Sequence, residues 1–185
     1  MEGEILAVDK RQKTLFSREE IAERVHELGR EITSDYESKE LVVVSLLRGS
    51  FIFTADLVRE LNNPVEVDFM TTSSYGHSEN SSGNVNIVHD IRANVEDKDI
   101  LIVDDIIDSG FTIEKVVNHL KTKSPKSVKI CVMLDKPSRR KVDLSPDYIG
   151  FTIPDVFIVG YGLNYGDFYR NIPYKNHHSL IHNQL

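Results

Sequence analysis

Apolar positions along this chain follow two alternating rhythms. Leu41 to Leu47 and Ile100 to Val103 are compact runs of aliphatic residues, of the kind that form strands buried on both faces. Val65 to Met70, Val85 to Val88, Val128 to Leu134, Tyr148 to Thr152 and Val156 to Val159 predict further strands. Between them the spacing lengthens to that of a helix. Ile21, Val25, Leu28 and Ile32 mark one buried face, with Arg18, Glu23, Glu27 and Arg30 left in solvent. Ser17 and Glu20 ahead of this face read as a capping box, and Phe16 with Ile21 as its hydrophobic staple. Phe51, Ala55 and Val58, extended by Leu61, mark one face of a second helix, and Ile113, Val116, Val117 and Leu120 mark that of a third.

Strand, tight turn and helix therefore follow one another twice. This order implies an α/β fold, a mostly parallel sheet with helices on both faces and ligands at the C-terminal ends of its strands. Arg48, the stretch from Asp104 to Thr112, and Lys136 each follow an apolar strand directly, so they are expected to converge on one edge of the sheet.

The stretch ILIVDDIIDSGFT, from Ile100 to Thr112, carries the densest chemistry. Ser109, Gly110, Phe111 and Thr112 lead into the third helix, where unpaired backbone N–H groups and the positive end of the dipole suit a phosphate. Asp104, Asp105 and Asp108 cannot hold an anion. They point instead to sugar hydroxyls, a divalent cation or a proton transfer, and phosphorylated ribose satisfies both halves of the stretch. The same three acids also spell the DDxxD of prenyl diphosphate synthases, but that motif works on a long helix, whereas Val103 and Gly110 indicate a strand and a turn. The polar segment from Thr71 to Gly83 is long enough to serve as a hairpin connection or a lid. The basic run Pro137 to Lys141 reads as solvated surface or a subunit contact.

Length and composition narrow the class. A chain of 185 residues suits one domain, here residues 1–185. Twenty-nine acidic residues against 22 basic ones, a formal charge of −7, disfavour sequence-independent nucleic-acid binding. No apolar run approaches the ~18 residues of a membrane span, and the start has no signal layout, so a cytoplasmic protein is expected. The single cysteine, Cys131, lies in an apolar run and reads as a buried small hydrophobe. His177, His178 and His182 read as a polar C-terminus rather than a metal site.

From about Leu41 to Pro173 the chain resembles the hypoxanthine-guanine phosphoribosyltransferases of the type I phosphoribosyltransferase family. The likeness runs through LLRGSF, VDFMTTSSYG, ILIVDDIIDSGFT, VMLDKPSRRKV, YIGFTIPD, FIVGYGLNY and YRNIPY. It implies the type I fold with a small hood of N- and C-terminal segments, and transfer of 5-phosphoribose from phosphoribosyl diphosphate to N9 of hypoxanthine or guanine, with Mg²⁺. Asp104 and Asp105 would hold the ribose hydroxyls directly or through the metal. Ser109 to Thr112 would cradle the 5′-phosphate, and Arg48, Gly49 and Arg170 would face the diphosphate. The resemblance also implies a cis peptide before Gly49, and Lys is usual where this chain has Arg48.

Asp108 would exchange the proton near purine N7. Lys136 would donate to the exocyclic oxygen, Phe157 would stack on the base, and the Ile158 backbone would read its edge. Ser74 and Tyr75 would close as the lid. Where many relatives carry Asp, Asn164 would be a weaker metal or purine contact. A homodimer or homotetramer is implied. The non-enzymatic alternative is a sensor of phosphoribosyl diphosphate or purine, which the retained Asp108 and Lys136 disfavour.

Overall fold

The computed structural model describes residues 13–74 and 85–177. In chain order the elements are β1 (Lys13–Phe16), α1 (Arg18–Asp35), β2 (Leu41–Leu47), α2 (Phe51–Glu60), β3 (Val65–Ser74), β4 (Val85–His89), β5 (Asp99–Ile107), α3 (Phe111–Lys121), β6 (Ser127–Asp135), β7 (Tyr148–Thr152), β8 (Ile158–Val159) and β9 (Lys175–His177). A single 3-10 turn covers Pro137–Arg139.

The main sheet has the order β4-β3-β2-β5-β6-β7. All neighbours are parallel except β3 and β4, which form an antiparallel edge. Chain order reverses between β2 and β5, since β2 leads outward to β3 on one side while β5 leads to β6 on the other. Such a switch point opens a crevice beyond the C-terminal strand ends. Ile100, Leu101, Ile102 and Val103 of β5 are fully buried, at about 1.5–3 kcal/mol for each side chain removed from water. Alternate residues face opposite layers: Leu101 and Val103 join Leu28, Ile32 and Phe53 under α1 and α2, whereas Ile100 and Ile102 join Ile113, Val116 and Leu120 under α3.

A smaller three-stranded sheet, β1-β9-β8, forms the hood. Its β1 is pinned by the Phe16 ring stacked on Phe151 at 4.0 Å. The hood gains two strands that periodicity does not predict, since Lys13–Phe16 and Lys175–His177 are too short to show alternation. The capping box is present, with Glu20 N–H donating to Ser17 Oγ at 3.2 Å and Ser17 N–H donating to Glu20 Oε2 at 2.8 Å. Cys131 is buried, and burial pushes its thiol upward.

Four expectations are corrected. The second helix does not bury Phe51 and Ala55, both of which are exposed; Phe53, Thr54 and Leu57 form the buried face, with Val58 and Leu61 partly covered. A polar residue defines that face because the Thr54 hydroxyl finds a partner on β2, which a hydrophobicity pattern cannot register. Strand β3 runs on to Ser74 because Thr71 to Ser74 pair with β4, so the polar segment begins as a strand. The cis bond is Leu47–Arg48, one residue before the expected place. That displacement follows the strand register: β2 pairs with β3 through Leu47, so the chain turns directly at the strand end. The Val156 to Val159 strand shortens to Ile158–Val159, the residues that pair with β9.

Candidate active site

Two turns meet at the switch point. The first follows β2 and is held by buried hydroxyls. Ser45 Oγ lies 2.8 Å from both Ser50 Oγ and Thr54 Oγ1, and Ser50 donates to the Leu46 carbonyl at 2.6 Å. This network satisfies groups that would otherwise be costly to bury, and it fixes the path of Arg48 and Gly49. Arg48 stays exposed. Gly49 faces β5 so closely that a Cβ there would lie 1.7 Å from Asp105 Oδ2.

The second turn follows β5. The Asp105 N–H donates to Asp104 Oδ1 at 2.9 Å, which keeps the two carboxylates together although neighbouring strand residues ordinarily face opposite ways. Burial raises the Asp104 carboxyl well above the usual range, and the charge of Asp105 adds to it. Burial also raises Asp105, opposed by the charges of Lys175 and Arg170. Gly110 caps α3 with φ +89°, and a Cβ there would lie 2.6 Å from Val142. Its left-handed backbone and lack of a side chain let Ser109, Phe111 and Thr112 curl into the helix start, where the first-turn N–H groups face outward for an anion.

The basic run 137–141 is not simply solvated, as its composition suggested. Arg140 donates to the Asp108 carbonyl at 3.1 Å and pairs with Asp135 at 2.5 Å, while Lys141 N–H donates to the Ser109 carbonyl at 2.9 Å. The run therefore straps the turn before α3 from outside. Arg139 pairs with Asp108 at 3.0 Å and with Asp155 at 3.2 Å, and Asp155 lies 3.8 Å from Lys136. Lys136, Asp155, Arg139 and Asp108 thus form a chain of alternating charge along the crevice. Arg139 and Asp155 were missed as site residues; nothing in their local spacing marks them, since the pairing crosses from β6 to the segment before β8.

The Lys136 side chain is 10% exposed, and its N–H donates to the Ile107 carbonyl at 3.0 Å, tying the end of β6 to the end of β5. Phe157 is 38% exposed and meets Tyr165 edge-on, with ring centroids 5.8 Å apart. Ile158 is buried and pairs with His177 of β9. Asn164 donates through its amide nitrogen to the Gly166 carbonyl. That bond orients the amide and leaves its oxygen as the atom able to act as a ligand. Ser74 ends β3, and Tyr75, the other lid residue, lies outside the described residues. His178 and His182 lie outside them too.

The turn Gly160-Tyr161-Gly162 closes the crevice from the hood. All three residues have positive φ. A Cβ on Gly162 would lie 2.1 Å from the Gly49 carbonyl, so the two glycines let the hood rest directly on the first turn. Arg170 Nη1 donates to the Gly162 carbonyl at 2.6 Å, and Lys175 Nζ to the Tyr161 carbonyl at 3.3 Å. Lys175 is fully buried, and burial lowers its ammonium to about 8 against the pull of Asp105. A cavity of about 660 Å³ between α1, α2 and residues 171–173 lies behind Tyr161, away from the carboxylates.

Among the described residues no group of three or more His, Cys, Asp and Glu side chains converges as a metal cage. Two adjacent carboxylates, Asp105 buried and Asp104 half-buried, both raised by desolvation, nevertheless suit a cation that takes most of its ligands from substrate and water.

Comparison with known proteins agrees with this geometry. The family model described as phosphoribosyl transferase domain matches residues 11–166. The chain is 51% identical over 164 residues to a hypoxanthine phosphoribosyltransferase of Salmonella typhimurium, covering 88% of this chain and 92% of that protein. It is 48% identical over 163 residues to the hypoxanthine-guanine phosphoribosyltransferase of Bacillus subtilis, covering 88% and 91%. It also matches bifunctional TilS/HprT proteins of Listeria, of which it spans 25% of the length. Among solved structures, a hypoxanthine-guanine phosphoribosyltransferase from Bacillus anthracis superposes with a TM-score of 0.87 at 46% identity, covering 90% of this chain and 98% of that one. A Staphylococcus aureus hypoxanthine phosphoribosyltransferase does so with a TM-score of 0.87 at 40% identity, covering 90% and 91%. The chain belongs to the hypoxanthine-guanine phosphoribosyltransferases, within the phosphoribosyl transferase domain family.

Proposed function

We propose that the chain acts in purine salvage, as a single domain, transferring 5-phosphoribose from phosphoribosyl diphosphate to N9 of hypoxanthine or guanine. In that reaction the C1′–N9 bond forms, the bond from C1′ to the diphosphate oxygen breaks, and the products are IMP or GMP and diphosphate. The observation that carries this reading is the meeting, at one switch point, of the glycine-capped start of α3, the adjacent carboxylates Asp104 and Asp105, and Lys136 at the end of β6.

Ser109 to Thr112 bind the 5′-phosphate through backbone N–H groups. Asp104 and Asp105 bind the ribose hydroxyls, and their charge stabilises the cationic C1′ of the transition state. Arg48, the Gly49 backbone and Arg170 hold the departing diphosphate. Lys136 donates to the exocyclic oxygen, which an amino group in its place could not accept. Phe157 lies against the base, Tyr165 supports its edge, and the Ile158 backbone reads the purine rim. Asp108 takes the proton that the purine must release as N9 becomes the nucleophile, and Arg139 steadies it. Mg²⁺, held through Asp104 and Asp105 with Asn164 as a further contact, would neutralise the diphosphate as it leaves. Ser74 and Tyr75 serve as a lid that keeps water from the cation.

Phe51, Val67 and Phe69 are large apolar side chains exposed on α2 and one face of β3. They support self-association as a homodimer or homotetramer through that face. A cytoplasmic setting suits the phosphorylated substrate and the single buried thiol. The test is direct: purified protein with Mg²⁺ and phosphoribosyl diphosphate is offered each of four purines. Nucleotide is expected from hypoxanthine or guanine, and product from none of them would leave the sensor alternative instead.

A further inference from the structure

We infer that Lys175 is a positioning residue for the diphosphate side of the site: its buried ammonium, anchored on the Tyr161 carbonyl, fixes the backbone that Gly49 presents to phosphoribosyl diphosphate and adds positive charge on that side. The inference rests on reading the Arg48–Gly49 turn as the diphosphate site.

Position 175 lies in β9, between β1 and β8, and is fully buried. Such a place calls for an apolar side chain, since lysine is almost never fully buried unless paired and a buried ammonium loses its hydration. The charge therefore needs a function. Its Nζ donates to the Tyr161 carbonyl at 3.3 Å and lies 5.6 Å from the Tyr161 ring centroid. The next carbonyl along the turn, that of Gly162, accepts from Arg170 at 2.6 Å. Two successive carbonyls of one turn thus hold two cations.

The mechanical link is equally short. Gly162 packs on the Gly49 carbonyl, and Gly49 packs on Asp105 Oδ2. Fixing Tyr161 and Gly162 therefore fixes the first turn against the carboxylate pair. Arg170 is half-buried and able to meet substrate, whereas Lys175 is sealed behind it and acts through the turn and through its field.

The test uses Lys175→Met, which keeps the length and removes the charge, with Lys175→Gln as a second variant. Steady-state kinetics give KM for phosphoribosyl diphosphate, KM for hypoxanthine and kcat, and calorimetry with Mg²⁺ and no base gives Kd for phosphoribosyl diphosphate. KM and Kd for phosphoribosyl diphosphate should each rise about tenfold, the scale of one lost charge acting through a medium of intermediate dielectric. KM for hypoxanthine should stay within about twofold of the parent, because the base sits at the other end of the crevice. Unchanged KM and Kd for phosphoribosyl diphosphate, with only the melting temperature altered, would mean a merely structural lysine and would overturn the inference. Failure of both variants to fold would overturn it equally. A parent protein that forms no nucleotide would overturn the proposed function instead.

Discussion

Gly49 and Asp105 touch across the gap between β2 and β5: a Cβ on Gly49 would lie 1.7 Å from the Asp105 carboxylate oxygen. The carboxylate fills the space that a side chain would take. The turn after one strand thus comes as near as backbone can to the acids near the end of the other.

Gly49→Ala should break that contact. No flexible tip is available to yield, since the obstacle is a short buried carboxylate that must swing away or push the turn outward, at about 1–3 kcal/mol for overpacking. We expect kcat/KM for phosphoribosyl diphosphate to fall by about two orders of magnitude, the size of effect that a misplacement of about 1 Å can have. The KM for hypoxanthine should move little. Steady-state kinetics alongside a thermal melt separate the two consequences.

Asp104 offers a test by stability. Its carboxyl is raised in the folded protein by burial and by Asp105. A raised acid contributes stability that is fully present below its unfolded value of 3.8 and is lost as pH rises through the folded value. At neutral pH the raised acid therefore costs the metal-free protein stability. Asp104→Asn should melt higher than the parent without Mg²⁺, yet gain less from Mg²⁺ with phosphoribosyl diphosphate. A variant that melts lower in both conditions would contradict this account.

Asp108→Asn and Lys136→Met should separate chemistry from base choice. Asp108→Asn keeps the shape and loses the proton acceptor, so kcat should drop about 10²- to 10⁴-fold with KM for phosphoribosyl diphosphate close to that of the parent. Lys136→Met removes a donor from a buried site, so hypoxanthine binding should weaken by about 1.5–3 kcal/mol while the discrimination against adenine narrows. Competition between the two bases measures that ratio.

Lys175 carries a pH signature of its own. Burial lowers its ammonium to about 8 from an unfolded value of 10.5. Between those values the unfolded chain binds a proton that the folded one does not, so stability falls as pH drops from 10.5 to about 8 and is lost below. Urea unfolding of the metal-free parent should therefore gain on Lys175→Met as pH is raised from about 8 toward 10, the window set by this shift. Parallel pH dependence in the two proteins would count against a buried, charged Lys175.

Much of the fold was legible because burial on both faces writes itself as uninterrupted apolar runs. Leu41 to Leu47 is a strand with those bounds, and β5 extends Ile100 to Val103 by the acids that follow it. The crevice was legible where polar residues lie at or directly after the end of an apolar strand, as at Arg48, Asp108 and Lys136. It was illegible where the partner comes from elsewhere in the chain. Thr54 looks like a solvent residue until Ser45 meets it, and Arg140 looks like loose surface until the Asp108 carbonyl does.

The sequence by itself determined the order of the main-sheet strands and their helices, the glycine turn before α3 and the acids ahead of it, since these depend on neighbours within a few residues. Only the tertiary structure decided that Gly162 rests on Gly49, that Arg139 joins Asp108 to Asp155, and that Lys175 is sealed near Asp105. Those relationships join segments far apart in the chain, and no local spacing encodes them. Charge and close contact act through space, and distance through space is set by the fold.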